Sequence, residues 1–321
     1  MEWPNHKEPW TEWRAALDGT RLHHGWLLAG KAGLGKRDFA LAAARELVAE
    51  EGVAQPAGDH PDITVLTHLP KDEKEEKKRD DGKPYQTKRN LPVAQIRAMQ
   101  KRLFTRPTLG SRRVIIIDPA DDMETSASNA LLKSLEEPPQ GTFFMLVSHR
   151  PSRLLPTIRS RCRTLRFPTL KPAQVEAMLE RENGSIDNAS RDAAIQAAGG
   201  SFGAALRFVE QDLGPIAQLI RRLITEGDPA FGARGELTRL IGARADRNRI
   251  QAVLELTQAL VAHYAASTQS SAQRAALIEA HAKLVALAGQ APTYNFDTSL
   301  LTLEIGTLLV SASAASEPAH G

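Results

Sequence analysis

Short apolar runs alternate with helix-spaced segments over the first half of the chain. Val114 to Ile117 form a continuous apolar run that ends at Asp118, which is typical of a parallel strand buried on both faces. Helical spacing of apolar residues predicts helices over 38–50, 92–104 and 125–136. The other short apolar runs predict strands at 26–29, 62–67, 143–147 and 164–167. This alternation predicts an α/β fold in which a parallel sheet lies between helices.

The strand signal fades after Phe167, and helical patterns take over. Turn residues and apolar spacing predict three short helices, at 172–182, 190–198 and 203–210. Longer apolar stripes over 216–223, 250–261 and 277–287 are typical of the core faces of a helical bundle. The tail after Val310 is small and polar, so we expect it to fray. The pattern predicts three domains: α/β over 1–168, small and helical over 169–212, and all-α over 213–321.

One segment departs from this organisation. Residues 71–89 are dense in both charge signs and poor in apolar residues. A segment of this composition cannot bury enough apolar surface to offset its ordering entropy. The composition therefore predicts an exposed, disordered loop.

Composition limits the function classes. A chain of 321 residues with 42% hydrophobic residues can fill more than one core. Its 41 basic and 38 acidic residues leave a net charge of +3, too small to indicate a nucleic-acid partner by itself. The single cysteine, Cys162, excludes a disulfide framework and a multi-cysteine zinc site, and it fits a reducing cytoplasm. No segment has the pattern of a secretory signal or a membrane span, so we expect a cytoplasmic protein with no membrane contact.

A glycine-rich loop carries the first candidate chemistry. Residues 30–36 have P-loop spacing, with Gly30, Gly33, Gly35 and Lys36 after a predicted strand and before a predicted helix. In this context, backbone N–H groups and a lysine cradle phosphates. A hydrolysing P-loop continues with Ser or Thr, whose hydroxyl holds Mg²⁺, but Arg37 stands here and has no lone pair for a cation.

The acid after the apolar run is a candidate metal-binding group. Asp118 ends a strand as the acid of a Walker B segment does, but Pro119 follows and cannot act as a general base. Asp121 and Asp122 stand close by, and either a substitute role in catalysis or a charge role at a helix start fits them. Ser148 follows another predicted strand, where a hydroxyl could touch a phosphate or cap the strand end.

Three segments, in this order after a P-loop, resemble the AAA+ subunits of bacterial DNA polymerase III clamp loaders, and the first is Val114 to Asp118, which reads VIIID. Ser128 to Pro139 read SNALLKSLEEPP, and Leu154 to Cys162 read LLPTIRSRC. His60-Pro-Asp62 and the helix start at Val93 to Arg97 are also similar to that family. The resemblance covers most of residues 20–210 and extends more weakly over the helical remainder. It implies an AAA+ domain, a helical lid and a helical collar for the three predicted domains.

The resemblance implies roles for several residues. Arg161, in Ser160-Arg161-Cys162, matches the arginine that such proteins extend across an interface to a neighbour's ATP, although pairing with an acid of its own domain also fits the spacing. Ser148 matches the first sensor position. The second sensor arginine is replaced by Gly203, with Arg207 one turn on. Relatives often carry a four-cysteine zinc module after the P-loop helix, and its cysteines are missing here, so we expect no zinc.

The combined losses at Arg37, Pro119 and Gly203, with Arg161 retained, resemble the delta-prime class of that family. The resemblance implies a subunit that does not hydrolyse ATP itself. Its implied partners are gamma/tau ATPase subunits and a delta subunit, with the sliding clamp and primer-template DNA met through the complex. Residual ATP binding by Lys36 and Arg37, an ATP-hydrolysing gamma-type motor, a P-loop phosphotransferase and a scaffold without an arginine finger stay open as alternatives.

Overall fold

The computed structural model describes residues 2–19, 22–182, 186, 188–242, 245–290 and 297–313. The chain forms two compact units, Met1–Thr169 and Leu170–Gly321. Within the described residues, no helix combines the length and apolar character that a membrane span requires.

The first unit is built on a five-stranded parallel sheet with strand order β2-β3-β4-β1-β5. The three inner strands lie at the continuous apolar runs and are buried, because these runs leave no polar face for solvent. The edge strands β2 and β5 are only partly buried, and Arg163 and Arg166 of β5 are exposed. In the register, Ala29 pairs with Ser148 of β4 and with Arg166 of β5, so the loops after these strands meet at one sheet edge. The strands are β1 Gly25–Ala29, β2 Ile63–Leu66, β3 Arg113–Ile117, β4 Thr142–Ser148 and β5 Arg163–Arg166.

Helices cover both faces of the sheet, as the α/β pattern predicts. The helices are α1 Lys7–Leu17, α2 Lys36–Val48, α3 Glu73–Asp80, α4 Val93–Leu103, α5 Thr125–Glu136 and α6 Pro156–Arg159. One core contains Trp13 of α1 and Phe39 of α2, and the opposite core contains Ile96 of α4 and Leu131 of α5. The apolar pattern did not predict helix α1. Its Trp13 is fully buried and packs edge-on against Trp26.

The expectation of a disordered loop over 71–89 is wrong. Residues Glu73–Asp80 form α3, capped by the Asp72 carboxylate, which accepts a hydrogen bond from the Glu75 backbone N–H. The Glu75 side chain is buried and accepts hydrogen bonds from Lys78 at 2.7 Å and from the backbone N–H of Gln86 at 2.7 Å. Opposite charges at helical spacing and a helix cap stabilise this segment, although it has almost no apolar surface.

The second unit is helical throughout its described residues. Its helices are α7 Pro172–Glu182, α8 Asn188–Ala198, α9 Phe202–Glu210, α10 Gly214–Glu226, α11 Gly232–Ile241, α12 Arg247–Ser267, α13 Ser271–Gln290 and α14 Thr298–Ser311. The predicted stripes of α10 and α12 form buried faces, whereas on α13 Leu277 and Leu284 are buried and Val285 is 41% exposed. Helix α14 continues to Ser311. Most of the tail after Val310, which we expected to fray, lies outside the described residues, which end at residue 313.

Candidate functional site

The P-loop residues lie at the carboxyl end of strand β1, between β4 and β5. Gly33 and Gly35 have φ angles of 75° and 72°, a left-handed conformation that glycine adopts without steric cost. A side chain at Gly30 would meet the Phe167 carbonyl oxygen at 2.7 Å, so only glycine fits against β5. The loop therefore has the sharp turns that the spacing predicts.

Lys36, however, turns its side chain back onto its own loop. Its ammonium donates to the carbonyl oxygens of Gly30 at 2.7 Å and Lys31 at 2.5 Å, and the residue is 2% exposed. Burial lowers the pKa of Lys36 to about 8, although the nearby carboxylates Asp118 and Asp121 favour the charged form. The Lys36 ammonium, which would bind a phosphate in a working P-loop, is therefore bonded to the carbonyl oxygens of its own loop.

The N-terminal segment covers the same loop, which the sequence analysis did not predict. A side chain at Gly35 would overlap the indole ring of Trp3, whose Nε1 donates to Asp38 Oδ2 at 2.8 Å. His6 contacts the Leu34 carbonyl oxygen through Nε2 at 2.9 Å and stacks on Trp3. In the sequence, this contact is marked only by Trp3 and His6, just before α1, and residue types alone do not reveal that they pack on the P-loop.

Arg37 interacts with the acid that would otherwise hold a metal ion. Its Nη1 lies 3.8 Å from Asp118 Oδ2 at the end of β3. Burial raises the pKa of Asp118, and the positive charges of Arg37 and Lys36 oppose that rise. A guanidinium therefore supplies the positive charge that Mg²⁺ supplies in a hydrolysing P-loop.

Asp121 binds the end of β4 and with it Ser148. Its Oδ1 accepts a hydrogen bond from the fully buried Ser148 hydroxyl at 2.6 Å. Its Oδ2 accepts from the backbone N–H groups of His149 and, at 3.1 Å, Arg150. All these contacts use the carboxylate as an acceptor, so its observed role is structural. Of the two roles open for Ser148, the hydrogen bond to Asp121 supports the strand-end cap.

Two histidines lie near these carboxylates. Burial and, after it, the neighbouring Lys36 charge lower the pKa of His149 to about 4, so His149 is neutral at pH 7. Its Nδ1 has no hydrogen-bond partner within the described part of the chain. His68 Nε2 lies 3.1 Å from Asp122 Oδ2. Burial acts to raise the pKa of Asp122, but the hydrogen bond and charge of His68 and the charges of Arg150 and Arg153 together lower it.

This donor set does not fit a magnesium–nucleotide. Lys36 is bonded to loop carbonyls, Arg37 pairs with Asp118, Pro119 stands at the position of the base, and Trp3 lies on Gly35. The described ranges contain no group of three His, Cys, Asp or Glu side chains arranged to hold a metal ion. Gly30, Gly33, Gly35, Lys36, Asp118 and Ser148 do come together at one sheet edge, where the Gly30 N–H and the side chains of Lys36, Asp118 and Ser148 have partners within the protein.

Arg161 lies elsewhere, in the turn between α6 and β5. Its Nη2 is 2.6 Å from Glu136 Oε1 at the end of α5, and its Nη1 donates to the Thr157 carbonyl oxygen at 2.9 Å. The Arg161 side chain is 35% exposed. The neighbouring Cys162 packs against the core, and burial raises the pKa of its thiol to about 12, so it is not a nucleophile at neutral pH.

The second unit contributes Arg207, the residue one turn after Gly203. Its Nη2 lies 2.5 Å from Glu255 Oε2 on α12, and both side chains are about one-third exposed. Ser201 accepts a hydrogen bond from the Ala204 backbone N–H and caps α9. Arg207 is therefore part of an ion pair between two helices of its own unit.

Comparisons with known proteins agree with this geometry. A family model described as DNA polymerase III, delta subunit, matches residues 5–171. DNA polymerase III subunit delta' of Pseudomonas aeruginosa is 37% identical over 169 residues, which are 48% of this chain and 46% of that protein. The Bacillus subtilis subunit delta' is 34% identical over 181 residues, 53% of this chain and 50% of that protein. The Mycobacterium tuberculosis subunit gamma/tau is 32% identical over 208 residues, 63% of this chain and 35% of that protein.

The chain spans about half the length of the delta' relatives that it matches. Among solved structures, a DNA polymerase III gamma subunit-related protein from Thermotoga maritima aligns with a TM-score of 0.53 and 16% identity. That alignment covers 95% of this chain and 99% of the other. At this identity the likeness supports the fold alone: an α/β domain with a parallel sheet, followed by a helical part.

Proposed function

The chain belongs to the DNA polymerase III delta subunit family, and from that membership we propose that it is a clamp-loader subunit of the delta' type. In this role the chain forms part of a ring that loads a sliding clamp onto primed DNA. It does not hydrolyse ATP itself and supplies Arg161 to the ATP site of a neighbouring subunit. The observation that carries the proposal is a P-loop closed by its own side chains in a protein that retains an accessible Arg161.

The contacts at the P-loop support the absence of hydrolysis. Hydrolysis needs a metal ion held by a hydroxyl and an oriented water. Arg37 provides no hydroxyl and pairs with Asp118, while Asp121 is occupied by Ser148 and two backbone N–H groups. The same contacts argue against residual ATP binding by Lys36 and Arg37, since both cations already have partners.

The surroundings of Arg161 support the finger. A guanidinium in a dry interface stabilises the charge that develops on a transferring phosphoryl group. Arg161 extends from a turn that is anchored by buried neighbours, and three of its five N–H donors are not used by the two contacts with Glu136 and Thr157. It can therefore offer hydrogen bonds to an anion on another subunit.

The remaining assignments follow from the same role. We assign residues 169–212 to a helical lid and 213–321 to a collar that joins the chain to gamma/tau ATPase subunits and a delta subunit. Clamp and primer-template DNA are met through the complex, in the cytoplasm. The helical fold of the second unit supports the lid and collar assignments.

The test is clamp- and DNA-stimulated ATP turnover by a clamp loader reconstituted from the same organism. Arginine fingers contribute about 10³ to 10⁵ in rate at a single site. Because other sites keep their own fingers, we expect Arg161→Ala to remove almost all turnover at the site it serves, which is a partial loss of the turnover of the whole complex. Arg159→Ala is the matched control, because Arg159 is exposed two residues away and has no carboxylate partner among the described residues. Unchanged turnover with Arg161→Ala, in complexes that assemble normally on gel filtration, would leave the chain a scaffold.

The similarity to gamma/tau subunits favours one second candidate, an ATP-hydrolysing motor subunit. That function requires the isolated chain to hydrolyse ATP in the presence of Mg²⁺. We expect no turnover above that of the Lys36→Ala variant. Turnover that disappears with Lys36→Ala would favour the motor.

A further inference from the structure

Glu136 and Arg161 form a contact whose two partners are distant in sequence. The carboxylate oxygen Oε1 and the guanidinium Nη2 are 2.6 Å apart, which is the distance of a charge-assisted hydrogen bond. The two side chains are 47% and 35% exposed, so the pair lies at the surface, where another subunit can reach it. Thr157 adds the second hydrogen bond to the guanidinium.

The backbones that carry this pair are fixed by the core. Gly25 at the start of β1 lies so close to the turn that a Cβ would meet the Arg161 carbonyl oxygen at 2.9 Å and the Cys162 Sγ at 3.3 Å. The imidazole of His24 contacts the Leu135 carbonyl oxygen at 2.7 Å, one residue before Glu136. Both ends of the ion pair are therefore anchored to the same strand, and the pairing follows from the packing of α5 and the turn.

The pair has an electrostatic consequence for a phosphate. A carboxylate in contact with Arg161 neutralises the charge that would attract an anion, and it would repel an incoming phosphate. A phosphate and the Glu136 carboxylate thus compete for one guanidinium. We infer that Glu136 is a positioning residue, which holds Arg161 in a resting state until the nucleotide of a neighbouring subunit displaces it. This inference rests on the proposed function, because it concerns the regulation of the same arginine.

The exposure of the pair limits the strength of this hold. Exposed ion pairs contribute about 0.2 to 1 kcal/mol, so the paired state is roughly 1.4 to 5 times as populated as the free state. The fraction of Arg161 that is free to engage sets the apparent efficiency of the neighbouring site. Removing the Glu136 charge should therefore raise kcat/KM for ATP at that site by roughly two- to sixfold, and no more.

The chain offers a matched control at the next residue. Glu137 is also an exposed glutamate in the same Glu-Glu-Pro-Pro string, but it forms no ion pair among the described contacts. Glu136→Gln and Glu137→Gln therefore remove the same charge from almost the same place. Only the first variant breaks the contact with Arg161.

The experiment measures kcat/KM for ATP in the reconstituted clamp loader with clamp and primed DNA. We expect Glu136→Gln to raise it, by at most roughly two- to sixfold at the site that Arg161 serves, and Glu137→Gln to equal the wild type. The gain should shrink when salt is raised from about 50 mM to about 300 mM, because salt screens the ion pair. It should also vanish in the Arg161→Ala background, since no finger is left to release. A merely structural role of Glu136 would depend on neither salt nor Arg161.

The outcomes separate the two proposals. If Arg161→Ala lowers turnover while Glu136→Gln leaves kcat/KM at or below the wild-type value, the hold by Glu136 is refuted and the finger stands. If Arg161→Ala has no effect, the proposed function itself fails. A gain that persists in the Arg161→Ala background would also overturn the inference, because Glu136 would then act through another group.

Discussion

The carboxylate of Asp121 gives the sharpest test of the nucleotide site, because two roles are open to it in principle. As a free acid it could bind a metal ion or activate water, whereas as a structural acceptor it holds the end of β4. The structure favours the second role, since Asp121 is 8% exposed and accepts hydrogen bonds from Ser148, His149 and Arg150. Asp121→Asn separates the roles, because it keeps the shape of the side chain and removes one acceptor oxygen.

The magnitude follows from the donors. An asparagine can turn its one acceptor oxygen to the backbone N–H groups of His149 and Arg150 and donate its NH₂ group to the Ser148 hydroxyl oxygen, so it loses the negative charge and keeps the three hydrogen bonds. Hydrogen bonds to charged groups contribute about 1.5 to 3 kcal/mol against about 0.5 to 1.5 for neutral ones, so the loss of charge should lower the free energy of unfolding by about 3 kcal/mol over three bonds. Asp122→Asn is the control. It breaks only the partly exposed pair with His68 and should cost about 1 kcal/mol.

Urea unfolding followed by tryptophan fluorescence measures the free energy of unfolding of the first unit, which contains Asp121. All four tryptophans, at positions 3, 10, 13 and 26, lie in the first unit, so the signal reports unfolding of the α/β domain. A loss of 1 kcal/mol or less with Asp121→Asn would contradict the structural role. The carboxylate would then be free to bind a metal ion or activate water, and Asp121 would no longer count against ATP hydrolysis by this chain.

Two further predictions concern buried titratable groups. With its pKa raised from 9.0 to about 12, Cys162 should react with iodoacetamide at pH 8 about 10³-fold more slowly than in urea-unfolded chain, and equal rates would refute its burial. Lys36 has a pKa of about 8 in the folded protein, against an ordinary value of 10.5. Between pH 8 and pH 10.5 the unfolded chain therefore binds more protons than the folded protein, and the free energy of unfolding should rise with pH over this range. Relative to Lys36→Met, the free energy of unfolding should gain up to about 3 kcal/mol from pH 8 to 10.5, and parallel pH profiles would contradict the lowered pKa.

The sequence predicted the elements of the sheet accurately because their signals are local. A run such as Val114 to Ile117 can only be buried on both faces, and α5 begins and ends at the residues that the pattern indicates. Segment 71–89 was misjudged because its order comes from the Asp72 cap and from Glu75, whose partner Gln86 lies beyond the helix. Composition does not report such pairings.

The sequence by itself determined the fold class and the loss of a magnesium ligand and a general base, since Arg37 and Pro119 are read directly at their positions. Only the tertiary structure decided what replaces these groups. Ser148 meets Asp121 across 27 residues of chain because the sheet order places β4 beside β3. Glu136 meets Arg161 because α5 and the turn after α6 pack against the start of β1. Contacts of this kind depend on how distant segments pack, and no local pattern of residue types specifies them.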